Sequence, residues 1–303
     1  MRLNPVRPNG VRPWGERAFP CTNVNMLGEP ENLSTETAGL PPEGHGPLPF
    51  VPPLAPREIW KARDLLLFVA FIPFALLASK FVVLIGYVVL RPFAGWHVKV
   101  DLVQTNTVFL LIQQCVFYVF ILGFLFLLAK LEHQQPFWRS LGWKKPTIRQ
   151  MAGYLAGGGA LAIAVGVALA MRPDTQGFPL EELFNSRTAC YAIGGFAIAV
   201  APVVEELVFR GLLFAFFERV AGMRWAVVAT AMLFAGLHIP EYWHAWNHVF
   251  MILLVGMVFS LARGLTGCLT PSIFLHIGYN SLMMTGLFFS TQHFRTASGF
   301  WVQ

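Results

Sequence analysis

Seven long apolar runs joined by short charged loops constrain this chain more than any other feature. They are Leu65 to Leu90, Thr107 to Ala129, Met151 to Met171, Ala189 to Phe217, Trp225 to Ile239, Val249 to Ala262, and Cys268 to Ser290. A hydrocarbon core about 30 Å thick takes about 20 apolar residues per helical span. In lipid the backbone must satisfy its own polar groups, which leaves helices and closed barrels. No β-barrel alternation and no internal repeat is visible. The expected fold is all-α: a polytopic transmembrane helical bundle of about seven spans. An eighth follows if the first run or the 239–248 region divides differently. Pro73 and Lys80 interrupt the first run, which reads as one tilted span or a broken entry. Gly153 and Gly157 have the spacing that lets helices approach closely.

Composition supports lipid as the main solvent. Only 13% of residues are charged and 55% are hydrophobic, against about 25% charged in a soluble domain. Residues 1–57 differ, holding more than half of the 21 prolines. That segment reads as a disordered Pro-rich cytoplasmic tail ahead of a bundle at 58–303. The net charge is +6, and Lys and Arg sit in short loops between the apolar runs, where they set orientation. No basic helix or aromatic-basic module points to nucleic acid. The tail and the 130–150 loop, with Arg139, Lys144, Lys145 and Arg149, are expected to be cytoplasmic. The mixed-charge 172–187 loop then faces out. Short loops suit a bacterial plasma membrane. The cysteines form no Cys/His cluster of the kind that holds zinc.

Ionisable groups inside spans persist where they line a cavity, pair, or do chemistry. Three such sites lie in the C-terminal half. In the first, Glu206 and Arg210 stand four residues apart and share a helical face, so Arg210 can neutralise Glu206. Glu205 is turned about 100° away and is available for another role. The second carries Phe234 one turn before His238. The third carries His276 and Asn280, again four apart, after a turn at Gly264-Leu265-Thr266-Gly267. A structural Glu–Arg pair or a satisfied core histidine would explain each site alone. Together they supply a base, a polarising group and hydrogen-bond donors, the parts needed to activate water and hold an oxyanion. His97, His133, His244, His248 and His293 fall in loops or at span ends. Trp243 and Trp246 make an interfacial belt the reading for His244 and His248. Glu181 and Glu182 read as a solvated loop face.

In order, the three sites spell EExxxR, FxxxH and HxxxN. This resembles the CPBP intramembrane protease family, which includes the type 2 CAAX prenyl endopeptidases (Rce1-like) and the bacteriocin-processing and immunity proteins. The likeness covers about residues 140–290. It implies an intramembrane endopeptidase acting on a membrane-associated peptide or protein, prenylated CAAX-type or leader-peptide. By the resemblance, Glu205 activates water with His238, His276 and Asn280 hold the oxyanion, Glu206 and Arg210 support the site, and Phe234 lines it. A metalloprotease with zinc on Glu205, His238 and His276 and a metal-free glutamate mechanism both fit these residues, and the lack of HExxH favours the second. Two alternatives keep the polar set without proteolysis: a membrane scaffold or immunity protein, and a proton-coupled transporter.

Overall fold

The first apolar run makes one helix, because isolated Ser79, Lys80 and Gly86 do not form a turn cluster and Pro73 only interrupts the ladder locally. In the computed structural model, which describes residues 60–95, 99, 103, 105–172, 177 and 179–295, α1 spans Ala62–Ala94, 33 residues, with Pro73 and Pro92 inside it. The expected tail at 1–57 and His97 lie outside the described residues. At the start of α1 the Lys61 N–H donates to Asp64 Oδ2 at 2.8 Å. α2 (Thr107–Leu127) is capped by Asn106, whose side-chain oxygen accepts from the Val108 and Phe109 N–H groups. It ends in a π-turn at Leu128–Glu132. There His133 Nε2 meets Asp64 Oδ2 at 2.9 Å, Arg63 pairs with Glu132, and Trp60 Nε1 donates to the Ser140 carbonyl. His133 is thus a structural tie between the ends of α1 and α2.

A short α3 (Phe137–Ser140) leads to α4 (Ile148–Met171), opened by a Thr147/Gln150 capping box. After the four-residue α5 (Pro179–Glu182) come α6 (Arg187–Ala199) and α7 (Ala201–Glu206). They are separated at Val200, next to Pro202, which has no N–H to continue the ladder. A π-helical turn at Leu207–Leu213 joins α7 to α8 (Phe214–His238). α9 (Trp246–Thr266) and α10 (Thr270–Ser290) complete the chain of helices. Among the described residues there is no strand.

Among the described residues, five helical segments are long and apolar enough to cross a membrane. One of them, Arg187–His238, has 52 residues. At about 1.5 Å per residue it reaches about 78 Å, more than twice the hydrocarbon thickness. Gly222 divides it, with φ 80° and ψ 166°, a conformation open to residues without a Cβ. The fourth and fifth expected runs are therefore the two arms of this segment. α10 corresponds to the seventh run but is not among the five, its apolarity diluted by Thr270, Ser272, His276, Asn280 and Ser281. Exposed Leu66, Phe74, Phe81 and Phe93 give α1 a lipid-facing side.

α4 and α10 pack backbone to backbone. A Cβ on Gly158 would lie 2.0 Å from the Leu275 carbonyl oxygen, and one on Gly278 would lie 2.2 Å from that of Leu155. The expected pair was Gly153 and Gly157. Gly153 faces open space, and a Cβ on Gly157 would meet a flexible Leu275 methyl at 3.2 Å. The close approach falls one residue round the helix. The expected turn at 264–267 is also shorter. Gly264 sits inside α9 against Met223 and Phe214, and the reversal begins at Gly267.

Candidate active site

The π-turn after Glu206 carries the first set of polar side chains. Such turns recur at functional sites because they widen the helix and change which residues face inward. Glu206 and Arg210 are both fully buried. Arg210 Nη1 donates to Glu206 Oε1 at 2.8 Å, Nη2 to the Gly256 carbonyl at 2.9 Å, and Nε to Ser260 Oγ at 3.3 Å. Its guanidinium lies 4.6 Å from the Phe234 ring centroid and 5.5 Å from that of Phe259. Inside the turn the Arg210 carbonyl accepts from Arg263 Nε at 3.2 Å. Every arm of Arg210 is thus engaged, and it fastens the π-turn to α9. Removing one partner of a buried ion pair costs about 3–5 kcal/mol, because the other charge stays uncompensated.

α10 brings His276 to the same carboxylate. Its Nδ1 lies 2.9 Å from Glu206 Oε1, and its ring packs on Phe259 at 4.9 Å and edge-on to Phe234 at 5.9 Å. Its other nitrogen, Nε2, stands 3.9 Å from Glu205 Oε2. That is too long for a direct hydrogen bond and within the reach of a bridging water. Glu205, a residue earlier than Glu206, points into a cavity of about 390 Å³. Its Oε1 accepts from the Tyr118 hydroxyl at 3.2 Å.

His238, at the end of α8, lines the same cavity. Its Nδ1 lies 2.7 Å from the Phe234 carbonyl oxygen and is the donor, because a carbonyl oxygen only accepts. Nε2 is left for the cavity. Among the described residues no hydrogen bond joins His238 to Glu205. Asn280 Nδ2 donates to the Ala197 carbonyl at 2.8 Å. One of its two amide hydrogens is spent holding the end of α6, and one remains for a ligand. Phe234 is 3% exposed and stacks against His238, Phe209 and the Arg210 guanidinium. All seven residues singled out from sequence therefore converge. Glu205, Phe234, His238, His276 and Asn280 line the cavity, with Glu206 and Arg210 behind His276.

The cavity wall holds further residues that the motifs did not single out. Tyr118 and Gln114 come from α2, and Glu241, Tyr242 and His248 from the α8–α9 connection and the start of α9. His248 lies in the wall, its ring stacked on Tyr242 at 5.5 Å, whereas His244 sits edge-on to Trp243. Glu241 is exposed along the cavity wall while protein surrounds its carboxyl. Burial pushes that carboxyl up, His238 opposes the shift, and Glu205 adds to it. Gln114 and Tyr118, four apart in an otherwise apolar run, were the signal for the α2 contribution.

A catalytic zinc needs three protein ligands at about 2.0–2.2 Å, which brings their donor atoms together. Among the described residues no three His, Cys, Asp or Glu side chains converge in that way. Glu205, His238 and His276 share the cavity as separate groups. This arrangement does not fit a zinc site, and no step below is routed through a metal.

Residues 188–282 match the family model described as type II CAAX prenyl endopeptidase Rce1-like. The segment contains every motif residue from Glu205 to Asn280 and is shorter than the 140–290 expected. It leaves α2 and α4 outside. No match was found among curated proteins or among solved structures. The match covers less than a third of the chain, and the apolar helices are those of an integral membrane protein.

Proposed function

We propose, on the premise that residues 188–282 form an Rce1-like domain, that this chain hydrolyses a peptide bond of a membrane-associated substrate within the bilayer. The observation that carries the reading is the 3.9 Å gap between Glu205 Oε2 and His276 Nε2 on the wall of a mostly apolar cavity. A water in that gap meets an acceptor carboxylate on one side. Glu205, with His238 Nε2 across the cavity, takes its proton as the water attacks the scissile carbonyl carbon. The new oxyanion is held by His276 Nε2 when that atom carries a proton, and by the second amide hydrogen of Asn280. Glu206, held by Arg210, fixes the His276 ring through Nδ1. The proton taken from water then passes to the leaving amine. Phe234 walls the cavity beside both histidines and contacts the substrate chain.

Apolar lining from Leu110, Leu111, Val165, Phe196, Met251 and Met283 suits a hydrophobic segment, either a prenylated CAAX-type tail or a leader peptide. In this reading the bundle at 58–303 lies in a bacterial plasma membrane with the N-terminal tail cytoplasmic, as short loops and loop charge suggest. Glu205→Gln keeps the shape and removes the base. In proteoliposomes carrying a membrane-anchored peptide, its turnover is expected to fall by about 100-fold or more, with an unchanged melting temperature. Cleavage at the parent rate would reject Glu205 as the base.

A further inference from the structure

The proposed reaction needs one oxygen of Glu205 aimed at the water and kept there. A carboxylate on a flexible three-bond stem presents either oxygen unless something holds the other one. The Glu205 side chain is 20% exposed, and its partners among the described residues come from two helices. His276 on α10 faces Oε2 at 3.9 Å, and Tyr118 on α2 bonds Oε1 at 3.2 Å. In that second contact the phenol is the donor, because an ionised carboxylate has no hydrogen to give.

Tyr118 is itself held. Its ring stacks on Phe196 of α6, with centroids 5.7 Å apart and planes 19° apart. The start of α2 is tied to the segment before α6: Thr107 Oγ1 donates to the Leu183 carbonyl at 3.0 Å, and Asn185 Nδ2 donates to Thr107 Oγ1 at 3.0 Å. Tyr118 also lines the cavity. Yet α2 lies outside the segment that matches the family model.

We propose that Tyr118 is a positioning residue for this reaction: its hydroxyl holds Glu205 Oε1 and so leaves Oε2 turned to the water and to His276. The assignment rests on the proteolytic reading for its consequence, but the contact itself is testable without turnover. Tyr118→Phe keeps the ring stack and removes the donor. In proteoliposomes its kcat is expected to fall about 10- to 100-fold, the size carried by one hydrogen bond to a charged group. KM and melting temperature should stay close to those of the parent. On a Glu205→Gln background the same change should cost nothing further, because the group it positions is gone.

A variant with parental kcat would overturn the assignment. So would a raised KM at unchanged kcat, which would make Tyr118 a wall of the substrate cavity alone. An infrared difference spectrum, parent minus Tyr118→Phe, isolates the phenol C–O band of Tyr118. Glu205→Gln should shift that band, and an unmoved band overturns the proposal whatever the turnover. A shifted band in a parent that cleaves no peptide would leave the Tyr118–Glu205 contact standing and reject proteolysis.

Discussion

Adjacent glutamates take different work here because a helix turns about 100° per residue. Glu206 faces inward, fully buried, and shares Oε1 between Arg210 and His276. Glu205 faces the cavity and keeps Oε2 clear of direct bonds among the described residues. A third carboxyl, Glu241, gives a pH-dependent signature. Folding raises its proton affinity, so its contribution to stability is present below the ordinary carboxylate range and is lost as pH rises through the raised value. Glu241→Gln does not ionise. It is expected to melt above the parent near about pH 8 and to match it near about pH 4. A gap that stays constant across that range, measured in detergent by thermal unfolding, would contradict the assignment. The Glu206–Arg210 pair was legible in the sequence because both partners lie in one helical turn. The bonds from Tyr118 and to His276 were not, since they join residues 87 and 70 positions apart. His238 was legible as a polar break in an apolar run. Its bond to the Phe234 carbonyl was hidden, because periodicity says nothing of a side chain folding back on its own helix.

Two local departures from regular helix set the geometry. The break at Val200 and Pro202 exposes the Ala197 carbonyl, which Asn280 then satisfies, tying α6 to α10. The π-turn at Leu207–Leu213 holds Arg210 where it can reach α9. Opposite these, α10 lies in backbone contact with α4, and that contact fixes where His276 stands. Gly158→Ala places a methyl 2.0 Å from the Leu275 carbonyl oxygen. It is expected to cost about 3 kcal/mol or more in unfolding experiments, since backbone cannot move aside as a side chain can. Gly153→Ala, with open space around it, should be neutral or slightly stabilising. Equal effects of the two would contradict the packing described. The spacing of small residues announced a close helix pair and misjudged the face, because Gly157, Gly158 and Gly159 offer three registers that sequence does not rank. Nothing in the residues 207–213 announced a π-turn, whose bonds reach back five residues instead of four with no change of residue type.

For the whole molecule, alternation of apolar runs and charged loops gave seven to eight spans, with which the helices of the described residues are compatible. Five segments pass as spans, the longest holds two arms about Gly222, and α10 completes seven rods. α10 falls short in apolarity because it carries the site and packs among helices. Loop charge predicts an orientation with the 130–150 loop cytoplasmic and the 172–187 loop outside. A membrane-impermeant thiol reagent applied to intact cells, read by mass spectrometry of the labelled peptide, is expected to modify Glu182→Cys and to spare Lys145→Cys. The reverse pattern would invert the topology. The bundle holds a cavity whose polar groups come from α2, α7, α8, the α8–α9 connection, α9 and α10.

The account stands on amide hydrolysis by the chain's own side chains. Its most direct test is cleavage of a membrane-anchored peptide in ¹⁸O-labelled water by protein stripped of divalent metal. The predicted result is an undiminished rate, with one labelled oxygen in the new carboxylate. Loss of cleavage on stripping, restored by zinc alone, would contradict it.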